Sequence, residues 1–71
     1  MVSIMDRDQY SLYRYSILSK TKGCNIHLVH NLLGVISGCI SSLHDPEFTV
    51  YEKLEFLRIY ENAIDEVSKV V

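Results

Sequence analysis

The chain has 71 residues and a formal net charge of −2. That bounds it to one small domain of the kind that gains comfortable stability from a second copy or a staple. The net acidity argues against a nucleic-acid binder, and two cysteines, Cys24 and Cys39, match neither a disulfide framework nor a zinc spacing. An apolar content of 48%, with one proline and three glycines, is that of a helical globular chain rather than a disordered or turn-rich one. No signal-peptide pattern opens the sequence, so a reduced, cytoplasmic setting is expected.

The first predicted helix runs from about Asp6 to Lys20, with Tyr10, Tyr13, Ile17 and Leu18 at spacings of three and four. Gly23, after Lys20-Thr21-Lys22, ends or bends it, and residues 1–22 are assigned to this N-terminal helix. It can pack back on the remainder or contact a partner, and the sequence does not choose.

The second helix covers about Asn25 to Leu43. Ile26, Val29, Leu33, Ile36, Ile40 and Leu43 alternate steps of three and four, a heptad seam. Leu28, Leu32, Val35 and Cys39 widen that stripe, as a bundle helix requires. His27, Asn31, Gly34, Gly38 and Ser41 fall on a separate face of small and polar groups. The stretch from Gly23 to Leu43 carries no charge and is long enough to cross a bilayer. Its load of Asn25, His27, His30, Asn31, Ser37, Ser41 and Ser42 favours a soluble bundle helix over a membrane span.

His44-Asp45-Pro46-Glu47-Phe48 is a turn, and Thr49-Val50-Tyr51-Glu52 fits a capping box for the third helix. That helix reaches the C-terminus with Val50, Leu57, Tyr60, Ile64, Val67 and Val71 on one seam. A short connection makes the second and third helices antiparallel. The expected fold is therefore all-α: an antiparallel hairpin over residues 23–71, preceded by a short helix, pairing as a homodimer into a four-helix bundle.

Residues 27–38, His-Leu-Val-His-Asn-Leu-Leu-Gly-Val-Ile-Ser-Gly, resemble the phosphoacceptor motif of sensor histidine kinases. The subgroup's pattern is His-Asp-Leu-Asn-Asn-Leu-Leu-Gly-Val-Ile-x-Gly. His27, Asn31, Leu32, Leu33, Gly34, Val35, Ile36 and Gly38 match it without a gap, while Leu28 replaces an acid and His30 a polar residue. The resemblance spans roughly residues 24 to 71 and implies a dimerisation and phosphotransfer domain. It makes His27 a possible phosphoacceptor and Asn31 a possible positioner of water. His30, Gly34, Gly38 and Ser41 then line the face that meets a response regulator or sensor kinase.

An adjacent carboxylate orients the ring and raises its basicity, an aid worth roughly 10²–10⁴-fold. Leu28 cannot supply it. With that acid gone and no room for a nucleotide-binding domain, a binding module that mimics the kinase domain is expected before an enzyme. The alternatives are a phosphotransfer protein relaying a phosphoryl group through His27 and a plain helical oligomerisation domain. His27, His30, His44 and Asp45 place no convincing third metal ligand, so neither metal nor cofactor is expected.

Overall fold

A computed structural model describes residues 4–71: three α-helices and, among the described residues, no strand. The helices are α1 (Arg7–Lys20), α2 (Ile26–Leu43) and α3 (Val50–Val70), with a 3₁₀ turn at Gly23–Asn25. Helix α1 starts where Asp6 and Gln9 cap each other. The Gln9 amide donates to the Asp6 carboxylate at 2.8 Å, and the Asp6 amide to the Gln9 side chain at 3.0 Å. The expected box at the head of α3 forms in the same way. The Glu52 amide donates to Thr49 Oγ1 at 3.2 Å, and the Thr49 amide to Glu52 Oε1 at 3.0 Å.

Between α2 and α3, Asp45 Oδ1 accepts from the Glu47 amide at 2.9 Å, and Pro46 follows in the sequence, so helix continuation is blocked twice over. Phe48 closes the turn by meeting Phe56 edge to face, with ring centroids 5.1 Å apart. At the other end, Asn25 Nδ2 donates to the Val70 carbonyl at 3.2 Å. The start of α2 therefore lies beside the end of α3.

The core is the α2 seam closed by α3. Val29, Leu33, Ile36 and Ile40 are buried, with Ile26 and Leu43 partly so, against Tyr60, Ala63 and Val67. Each fully buried aliphatic side chain of this kind contributes roughly 1.5–3 kcal/mol. On α3 the inward line differs from the expected one. Tyr60 and Val67 are buried and Leu57 and Ile64 half-buried, but Val50 is 73% exposed and Val71 44%. Val50 is the first residue of α3 and Val71 lies just past its end, whereas Ala63 packs inward at mid-helix.

Helix α1 packs back on the other two. Tyr10 and Ile17 are buried, and Met5, Tyr13 and Leu18 pack against the same cluster. The Tyr10 hydroxyl donates to the Leu33 carbonyl at 2.8 Å, and the Met5 amide to the Tyr60 hydroxyl at 3.2 Å. The Tyr13 hydroxyl is buried without a hydrogen-bond partner. Its pKa lies above the usual tyrosine value, first because of burial and then because of Tyr60 and Tyr10 nearby.

Candidate functional site

Helix α2 divides its side chains between two faces. With the apolar seam turned into the core, His27, His30, Asn31, Gly34, Gly38 and Ser41 are all exposed. Residues spaced by three, four and seven share a face, so His27, Asn31, Gly34, Gly38 and Ser41 form one strip along the helix. A methyl group on Gly34 or Gly38 would meet nothing within 4 Å beyond the adjoining backbone of its own helix. The absence of side chains there leaves bare backbone flanked by the His27 imidazole and the Asn31 amide. Neither glycine has a positive φ, so neither is required by the backbone. Each still costs the helix roughly 1 kcal/mol relative to alanine.

The strip is bounded differently on its two sides. Toward α1, the Arg7 guanidinium donates to Ser37 Oγ at 3.0 Å and also to Ser41 Oγ. Ser41, expected to face a partner, is thus engaged by the chain's own first helix. His30 stands seven residues before Ser37 on this same side. Toward the opposite side lie Leu28, 47% exposed, and Val35, 43% exposed. Leu28 therefore places an apolar side chain beside His27 where the resemblance calls for an acid. Arg7 as a latch had no sequence signal, because nothing periodic links it to serines 30 and 34 residues away.

His27 and His44 sit at opposite ends of α2, separated by 17 helical steps or about 25 Å. His44 instead approaches the Met5 carbonyl, its Nε2 at 3.5 Å. Among the described residues no group of three His, Cys, Asp or Glu side chains is placed to hold a metal ion. Nor do those residues form a pocket. A flat, open strip suits contact with another macromolecule better than enclosure of a small molecule.

The segment Gly23–Leu43 is long and apolar enough to cross a membrane by length and composition, a property shared by core helices of soluble bundles. Comparison with protein-family models, characterised proteins and solved structures finds no match to this chain.

Proposed function

We infer that the chain is a two-component signalling module. It resembles a histidine kinase's dimerisation and phosphoacceptor domain and binds a response regulator or sensor kinase as a mimic. In this reading α2 and α3 form a hairpin that pairs with a second copy into a four-helix bundle, in the cytoplasm and without spanning a membrane. The observation that carries it is the division of the motif. Its aliphatic positions Leu33 and Ile36 turn into the core, while His27, Asn31, Gly34 and Gly38 stand together on an open strip. A receiver domain approaching that strip meets an imidazole and an amide one turn apart, over backbone that no side chain shields. Asn31 orients water without changing protonation, so its role does not need the missing acid.

A second reading, phosphotransfer through His27, draws on the same exposure. A neutral imidazole attacks the phosphorus of a donor phosphoaspartate; the N–P bond forms, the donor carboxylate leaves and the ring proton passes to solvent. Leu28 gives that step no assistance.

The test is a pull-down from the native lysate with wild type and a His27→Ala, Asn31→Ala double variant. Enrichment of response regulators or kinases by wild type alone is the expected result. Identical sets from both baits would reduce the chain to a helical oligomerisation domain. Incubation with a phosphorylated receiver separates the two signalling readings: the mimic yields no acid-labile phosphohistidine, whereas a relay yields one that Leu28→Asp accelerates.

A further inference from the structure

The connection between α1 and α2 is held by local bonds that a helix can replace: the Thr21 hydroxyl donates to the Ile17 carbonyl at 2.6 Å, the Thr21 amide to the Leu18 carbonyl at 3.4 Å and the Asn25 amide to the Lys22 carbonyl at 2.9 Å. From Arg7 to Leu43 only Thr21 (φ −75°, ψ 131°) and Lys22 (φ −77°, ψ 148°) are extended. Gly23–Asn25 is already a 3₁₀ turn, and no residue in the stretch has a positive φ. There is no proline before Pro46. Neither Lys22 nor Asn25 caps its following helix with a side chain. Rotating two ψ angles into the helical region, with the 3₁₀ turn relaxing to α, therefore joins α1 to α2 as one helix.

Such a helix accounts for a feature the observed fold leaves without a role. Leu12 is 73% exposed and Tyr15 76% exposed on the outer side of α1. Counting in sevens along a continuous helix, Leu12 falls in line with Ser19, Ile26, Leu33 and Ile40. Tyr15 falls in line with Lys22, Val29, Ile36 and Leu43. The outward residues of α1 thus carry the a and d positions of the α2 seam onward, broken only by Ser19 and Lys22. The inward face of α1 fits its present place less well, since Tyr13 buries a hydroxyl that finds no partner there.

We propose that α1 is a detachable helix. It straightens at Thr21–Lys22 into a continuous Arg7–Leu43 helix, and two copies of the chain pair along the edge of the α2 seam that α1 vacates, a line carried onward by Leu12 and Tyr15. In the paired state Leu12 and Tyr15 of the two copies meet beyond the end of α3. The flank vacated by Tyr10 and Ile17 is covered by α2 of the second copy. Two forms of one chain are then in balance: a closed monomer with α1 folded back, and an open dimer. The inference depends on the pairing of two copies and not on what docks at the His27 strip.

Three single substitutions in the full chain test it, read as molecular mass by sedimentation equilibrium across a concentration series. Lys22→Pro fits the closed form, because φ is already −77° and the preceding Thr21 is extended. It penalises the continuous helix on the order of a hundredfold per chain and is expected to leave a monomer. Leu12→Glu changes a side chain exposed in the closed form, so helicity by circular dichroism stays at the wild-type level while the dimer is lost.

Gly23→Ala meets no atom within 4 Å in the closed form and favours the continuous helix by up to about fivefold per chain, hence about 25-fold in the association constant. A dimer indifferent to both Lys22→Pro and Leu12→Glu overturns the proposal. So does a Gly23→Ala variant that remains monomeric throughout the series. Mass, not partner binding, is the readout, so this result is separable from the pull-down.

Discussion

The two connections of this small bundle differ in kind. The turn between α2 and α3 is specified by its own residues: Pro46, the Asp45 side chain on the Glu47 amide, the Thr49–Glu52 box and the Phe48–Phe56 contact. The turn between α1 and α2 has no proline, no positive φ and no side-chain cap at the start of α2, and its own side-chain bond is the Thr21 hydroxyl on the Ile17 carbonyl. It persists because α1 finds contacts elsewhere, through Tyr10, Ile17 and the Arg7 latch. A local sequence can thus decide that a chain turns, or can leave the decision to tertiary packing.

The contrast is broken most forcefully in the cores on either side of it. Ile36→Ala, at a fully buried site between α2 and α3, is expected to cost about 2–5 kcal/mol in urea unfolding. Ile17→Ala, in the α1 contact and 9% exposed, is expected at or below the low end of that range. Equal losses would mean that α1 is as firmly held as the α2–α3 pair.

Next in size are two changes of opposite sign. Tyr13→Phe removes a buried hydroxyl with no partner and is expected to stabilise the closed fold by about 1 kcal/mol. Thr49→Ala breaks the α3 capping box and is expected to destabilise by about 1 kcal/mol, whereas Lys22→Ala should stay within about 0.5 kcal/mol.

The smallest effects are in pH. The Thr49 amide and hydroxyl hold the Glu52 carboxyl below the usual glutamate range. Its contribution is therefore present above the unfolded pKa and fades as pH falls through the lower folded one. A thermal-melt series in acid should show that loss shrink in Glu52→Gln. Tyr13, shifted upward, acts at the other end. Its neutral form suits the fold, so stability is full below the ordinary tyrosine pKa and falls as pH rises through the higher folded value. Tyr13→Phe should blunt that alkaline loss.

Much of this architecture was legible in the sequence where periodicity or turn chemistry was strong. The α2 seam from Ile26 to Leu43 and the Thr49 box lie where their patterns place them. The line on α3 was harder, because apolar residues occur on more than one side of that helix. Ala63 carries a smaller signal than Val50 and Val71, yet it faces the core. On α1 the line of Tyr10, Tyr13, Ile17 and Leu18 given by the spacing is the one that packs inward, although Leu12 and Tyr15 make a second apolar face that stays exposed. The exposure of His27, Asn31, Gly34 and Gly38 followed from the α2 period. The engagement of Ser37 and Ser41 by Arg7 did not, since it joins residues distant in the chain.

The two cysteines give the fold an internal clock. Cys24 is exposed at the uncommitted turn, whereas Cys39 is buried in the α2 seam and burial pushes its thiol pKa up. A thiol reagent therefore titrates one group at once and the second only as fast as the α2–α3 core opens. The delay between them times the breathing of the stable half of the molecule, without a label and without altering a residue.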